Sequence, residues 1–250
     1  MLFLFIKNSF FYILCVDFTL TVKFIIPDVN NAYKEETKMQ ILMRKYRNED
    51  FKPLTEIIRR TWHYDEFTDH ETALKLARVF LSSCLTNYTF SRVAVIDENV
   101  AGVILAKDIR IHKCSFSDRF RQIMSVARLF LSKEGRRVSG IFKSVSGIDK
   151  ELLSNCSKNY NAELALFAVD GAYQGKGAGK LLFDSAMDYM RKQQLSEFYL
   201  FTDTSCNYGF YEHCGMTRRC EEKHTFDING TRADMNFFLY DLGLKDDPAT

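Results

Sequence analysis

The chain has 250 residues, 46% of them hydrophobic and 26% charged, with a formal net charge of +2. Those values suit one ordinary soluble domain with appendages, and a charge so near neutral excludes any bulk electrostatic reason to expect nucleic acid. Seven cysteines with no Cys-x-x-Cys pair speak against a disulfide framework or zinc site, and for reduced thiols in a cytoplasmic protein.

Residues 1–38 begin with the apolar MLFLFIKNSFFYILCVDFTLTVKFII, yet Lys7, Asp17 and Lys23 leave no uncharged run near the ~18 residues of a membrane span. Asp17 and the lack of an Ala-x-Ala site also argue against a secretory signal. Lys34-Glu35-Glu36 can be encoded by AAG-GAG-GAA, a ribosome-binding sequence just ahead of Met39. The expectation is a non-native or disordered extension, with translation beginning at Met39 or Met43; a weak membrane-surface anchor is the alternative. The domain is expected over 39–242, with a tail over 243–250.

Within the domain, ILMRKYR reads as a short strand, and Asn48-Glu49-Asp50 opens a helix with Phe51, Leu54, Ile57 and Ile58 on one face. HETALKLARVFLSSCL is a second helix, with Leu74, Ala77, Leu81 and Leu85 in register. FSRVAVIDENVAGVILAKDI alternates around Asp97-Glu98-Asn99 as a hairpin. A helical insertion follows over about 113–158. Its Phe116, Phe120, Ile123, Met124, Ala127, Phe130 and Leu131 hold helical spacing, with Ser117 placed as a cap. Residues 113–143 carry eight Lys or Arg against two acids, which fits a solvated helix face or a surface for RNA or protein. ELALFAV then reads as a strand buried on both faces. After it come AVDGAYQGKGAGKLLFDSAMDYM as glycine loop and helix, FYLFTD as a strand parallel to ELALFAV, and a closing hairpin turned at Asn229-Gly230.

The loop's spacing rejects two nucleotide folds. A P-loop would need glycine five residues before Gly175 or Gly179, where Asp170 and Gln174 stand. A dinucleotide fingerprint would need a third glycine where Lys180 stands. Gln174-Gly175-Lys176-Gly177-Ala178-Gly179 instead matches Arg/Gln-x-x-Gly-x-Gly/Ala. With the preceding apolar strand and the later GFYEHCGM, the chain resembles the GNAT superfamily of acetyl-CoA-dependent N-acetyltransferases over roughly residues 41–241.

That resemblance implies an α+β fold. Its central sheet is mixed, mostly antiparallel, of six to seven strands, with helices on both faces and a splayed parallel pair at the cofactor site. It implies acetyl-CoA as co-substrate, its pyrophosphate held by the loop's backbone from Gln174 to Lys180, and its pantetheine arm along Phe167, Ala168 and Val169. Lys176 and Lys180 add screened attraction. It implies Glu163 as the base that takes the amine proton and Tyr211 as the acid at the CoA sulfur. A strand-start carboxylate in solvent and a packed aromatic are the respective alternatives. The asparagine usual seven residues before the tyrosine is replaced by Thr204, leaving Asn207 as the nearest substitute for its cofactor contact. Gly171 stands where proline is common.

The acidic, aromatic connection TWHYDEFTDHE, residues 61–71, borders the acceptor site by the same resemblance and suits a cationic amine, or is simply solvated. No metal is expected, since the loop spacing of His63 and His70 fits no ligand pattern. The leading expectation is direct transfer of acetyl from acetyl-CoA to a primary amine, of a small molecule or a protein, without an acyl-enzyme on Cys206 or Cys214. A non-catalytic acyl-CoA-binding or protein- or RNA-interacting module is the alternative. No DNA and no stable membrane insertion are expected, and a homodimer is left open.

Overall fold

The computed structural model describes residues 40–228 and 231–244. Expectations about the extension 1–38 and the Asn229-Gly230 turn lie outside those residues. The first strand, β1 (Ile41–Arg44), is tied to the first helix through one carboxylate. Asp50, buried ahead of α1 (Phe51–Thr61), accepts from the Arg44 guanidinium at 2.7 and 2.6 Å and from the Arg47 N–H at 2.7 Å. α1 buries Leu54, Ile57 and Ile58 as its spacing predicts. Asp69 caps α2 (His70–Leu85) by accepting from the Thr72 N–H at 3.0 Å. Its buried stripe holds Leu76 with Ala77, Leu81 and Leu85, whereas Leu74 is half-buried, a one-position error in the expected face.

Strands β2 (Phe90–Ile96) and β3 (Asn99–Asp108) form the expected hairpin, and Asp97 and Glu98 both take positive φ, 48° and 64°. That is the backbone of a two-residue type I′ turn. The insertion is three helices: α3 (Phe116–Phe130), α4 (Lys133–Val138) and α5 (Gly140–Asn155). The cap of α3 is Ser115 and not Ser117, and the two hydroxyls meet at 2.7 Å without bonding the helix backbone. Then come β4 (Ala162–Val169), α6 (Ala178–Lys192), β5 (Glu197–Asp203), the short α7 (Gly209–His213), and the long pair β6 (Thr217–Ile228) and β7 (Thr231–Gly243).

The seven strands run in the order β1-β2-β3-β4-β5-β7-β6, antiparallel everywhere except between β4 and β5. On one face α6 packs Leu182, Ala186 and Met190 against Ile104, Leu164 and Phe198. On the other, α1 and α2 cover Val93, Val103, Leu105 and Leu166, while α5 sets Ile148 and Leu152 against Tyr199, Phe226 and Leu239. The expected mixed sheet with helices on both faces is therefore present. The free thiol of Cys156, just after α5, lies beside that of Cys220 on β6.

Two irregularities in β4 make the site. The strand pairs with β5 only at Ala162–Phe198 and Glu163–Tyr199 and then departs from it, while its other edge follows β3 to Val169. Ala165 is also skipped in the β3 register, a bulge. As a result Ala162 and Leu164 face α6, whereas Leu166 and Ala168 face α1 and α2. β4 is thus not buried on both faces as its apolar run predicts: Glu163, Ala165, Phe167 and Val169 are half-buried, the last three where β5 has moved away.

Candidate active site

Between the parting strands lies a cleft of about 1810 Å³. At one end stands the glycine loop. Gly175 and Gly177 have φ of +75° and +86°, and a Cβ on either would meet nothing within 4 Å. These positions therefore need glycine for backbone conformation, and they face open space. Gly179 sits closer, its would-be Cβ 3.7 Å from Phe167 and Val169. Among the described residues, the N–H groups of Gly175, Lys176 and Gly177 have no backbone partner, and those of Ala178, Gly179 and Lys180 open α6 without one. Free N–H donors at a helix N-terminus, on a loop whose Gly175, Gly177, Gly179 and Lys180 line the cleft, suit an anion.

Arg60, on α1, holds the loop's entrance. Its guanidinium pairs with Asp170 at 2.6 Å, and Asp170 in turn accepts from the Ala172 N–H at 3.1 Å and donates its own N–H to the Ala101 carbonyl at 2.8 Å. Sequence reasoning missed this clamp, since the partners are 110 residues apart. Of the two loop lysines, Lys180 is already paired with Asp184 at 2.6 Å, and Lys176 lies over the Tyr173 ring at 5.0 Å.

Along the cleft wall, the β5-side edge of β4 from Leu164 to Val169 has no strand partner. Its backbone groups are open to an extended ligand that adds as a strand. The Phe167 ring packs with Phe183, Phe210 and Tyr211, beside the open main chain of this stretch. Tyr211, on α7, also lines the cleft. Burial, with the charges of Cys206, Cys214 and Asp203 behind it, pushes its phenol pKa well above the ordinary value. Asn207 and Thr204 lie on the exposed rim of the same cleft, before α7.

At the far end Glu163 receives Asn87 Nδ2 at 3.0 Å and Lys107 Nζ at 3.4 Å on Oε2. Its side chain is 13% exposed, so the reading of a free carboxylate in solvent does not hold. Burial first, and then Glu163, raise the pKa of the neighbouring Tyr199 phenol. Opposite, α5 brings Ile141, Val145 and Asp149 to the cleft. Burial first, then the charge of Glu163, then that of Asp203 push the Asp149 carboxyl up to about 7. Asp149 was missed in the sequence, where its signal is an acid standing on the apolar stripe Ile141, Val145, Ile148 and Leu152.

The acidic connection is mostly spent on structure. Asp65 pairs with Arg59 and, at 3.3 Å, with His70; Asp69 caps α2; and Glu71 pairs with Lys75 at 2.7 Å. Trp62, His63 and Glu66 do reach the cleft.

The model of the Acetyltransferase (GNAT) family matches residues 51–216, from the start of α1 to just past α7. The chain belongs to this family. It is accordingly an acyltransferase, and its matched span contains the glycine loop, the bulged β4, the Arg60 clamp and α7. Among solved GNAT-fold structures, PH1933 from Pyrococcus horikoshii OT3 is 14% identical, with 82% of this chain and 99% of that one covered at a TM-score of 0.50. The ribosomal-protein-S18-alanine N-acetyltransferase from Escherichia coli is 11% identical, with coverage of 82% and 95% and a TM-score of 0.46. The PaiA N-acetyltransferase from Thermoplasma acidophilum, in complex with coenzyme A, is 17% identical, with coverage of 82% and 99% and a TM-score of 0.43. At these identities the likeness is one of fold. No curated protein matches the sequence.

Proposed function

We propose that this GNAT chain moves the acetyl group of acetyl-CoA to a primary amine by direct attack in a ternary complex. One observation carries the reading. The cleft has an anion cradle and an open strand edge at one end, Tyr211 along its length, and two carboxylates at the other. The pyrophosphate sits on the N–H groups of Gly175 to Lys180, and the pantetheine amides pair with Phe167 to Val169. That places the thioester between Tyr211 and the carboxylates.

An alkyl ammonium has a pKa near ~10.4 and cannot attack until it loses a proton. Glu163 and Asp149 hold the cation. Asp149, poised near neutrality by burial and its acidic neighbours, is matched to accept the proton; Glu163 is the other candidate acceptor. The nitrogen lone pair then forms the C–N bond, the tetrahedral intermediate collapses, and the C–S bond breaks with its electrons on sulfur. Because the Tyr211 phenol stays protonated, it donates a hydrogen bond to the departing thiolate. Complete transfer from the phenol is uphill to a thiol of ordinary pKa ~8.5, so the thiolate takes instead the second proton, which the nitrogen loses as the amide forms.

The α1–α2 connection and α5 wall the acceptor end, so the insertion shapes what amine enters. A cytoplasmic location belongs to the same proposal, since acetyl-CoA and scattered thiols both fit that compartment. Incubating the protein with acetyl-CoA and a panel of amines, and following free thiol, tests it. Amine-dependent thiol release is expected. Tight acetyl-CoA binding with no release for any amine or peptide would favour a binding module instead.

A further inference from the structure

α3 is held to the protein by a mixed face. Leu129 is buried in the core with Val126 packed beside it, while Ser125 Oγ meets Ser82 Oγ at 2.9 Å, Gln122 Nε2 donates to Ser83 Oγ at 3.1 Å, and Arg121 donates to Asn48 Oδ1 at 2.6 Å. The side it turns outward is apolar. Phe116 is 86% exposed, Phe120 57%, Ile123 56%, Phe130 46% and, just beyond the helix, Leu131 81%. Spacings of four, three and seven residues stack Phe116, Phe120, Ile123 and Phe130 on one face. A contiguous exposed apolar face of this kind marks an interaction surface, and nothing among the described residues covers it.

We propose that this face docks the enzyme on an anionic lipid bilayer. The charge pattern selects that occupant. By helical spacing Arg119, which also lines the cleft, and Arg128 flank the apolar stripe on its two sides, and Lys113, Lys133 and Arg136 are exposed just before and after the helix. Apolar centre with arginine margins is how an interfacial helix lies, rings in the acyl boundary and guanidinium groups at the phosphates. A second copy on the same face would bring two strongly basic patches together, which charge opposes. A nucleic acid would place its phosphates where the phenylalanines stand. Docking here is peripheral: among the described residues no helix is long and apolar enough to cross a membrane.

The test is co-sedimentation of the full chain with vesicles of phosphatidylcholine, with and without phosphatidylglycerol. Binding is expected only to the anionic vesicles, weakening as salt screens the attraction. The triple variant Phe116→Ser, Phe120→Ser, Ile123→Ser should bind at least about tenfold more weakly while keeping its melting temperature and acetyl-CoA affinity. Arg128→Gln with Lys133→Gln should lose the anionic preference. Equal binding to neutral vesicles, no binding to either, or undiminished binding by the triple variant would each overturn the proposal. So would a solution dimer that the triple variant abolishes.

Discussion

At the scale of single residues the proposed reaction turns on how Asp149 and Glu163 would divide one task. If Asp149 accepts the amine proton, kcat/KM rises as pH passes about 7. Asp149→Asn then removes that limb, leaving the rise that follows the amine's own ionisation at higher pH. Glu163→Gln should instead lower the rate across the neutral range and shift its rise upward. A pH–rate profile of each variant separates the two, and an unchanged Asp149→Asn profile assigns the proton to Glu163. Stability gives an independent reading. A carboxyl whose folded pKa is raised binds a proton that the unfolded chain releases, so its burial costs stability as pH rises from about 4. Asp149→Asn should therefore stabilise the fold by roughly 1–2 kcal/mol at pH 8 and leave it unchanged near pH 4; melting curves at both values check this. Tyr211→Phe, which removes a hydrogen-bond donor to the leaving sulfur, should reduce turnover by about 10²-fold, with acetyl-CoA affinity unaltered by calorimetry.

At the scale of elements, the loop before α6 works by presenting backbone, so its failure modes can be separated from packing. A carboxylate added at Gly177 enters open space and costs only about 1–2 kcal/mol of left-handed strain, yet it stands in the cradle and repels a pyrophosphate. Gly177→Asp should abolish acetyl-CoA binding in calorimetry while the melting temperature moves little. Arg60→Ala acts from α1. Its side chain is half exposed, so the ion pair adds little stability. Releasing Asp170 loosens the loop, and a few-fold loss of acetyl-CoA affinity with an unchanged melting temperature is expected. The insertion shows the same division between helices: α5 packs Ile148 and Leu152 into the sheet and gives Asp149 to the cleft, whereas α3 sends Leu129 and Val126 into the core and leaves Phe116, Phe120, Ile123 and Phe130 outside.

For the molecule as a whole, the half of the sheet beyond the cleft is joined to the insertion's exit by one buried charge. Asp241 on β7 is 1% exposed and receives Arg219 Nε at 2.7 Å, Lys158 Nζ at 3.0 Å and Tyr160 Oη at 3.0 Å. Burial alone would raise its pKa, but those three donors hold it below the usual carboxylate value. A depressed folded pKa contributes stability above the unfolded value, lost as pH falls through the folded one. Asp241→Asn should therefore cost about 1–3 kcal/mol at pH 7, and the difference should shrink as pH falls below the ordinary carboxylate value of ~3.9. Denaturant melts at the two pH values measure it.

Local features were legible in the chain before any fold was known. Alternating glycines require positive φ and leave helix N–H groups free, so the loop announces itself, as do the Asp97-Glu98 turn and α2 from His70 to Leu85. The GNAT resemblance rested on that local backbone chemistry, and the family match agrees with it. What the sequence left open lies in contacts between distant segments. The bulge at Ala165 decides which side chains of β4 see the cleft, and the parting of β4 from β5 creates that cleft. Arg60 reaches Asp170 across 110 residues, Lys180 is taken by Asp184, and α5 folds back to set Asp149 near Glu163. Periodicity likewise identified the apolar stripe of α3 but could not say which way it points. Amphipathic spacing records that a helix has two faces; only the packing partner decides which one is turned inward.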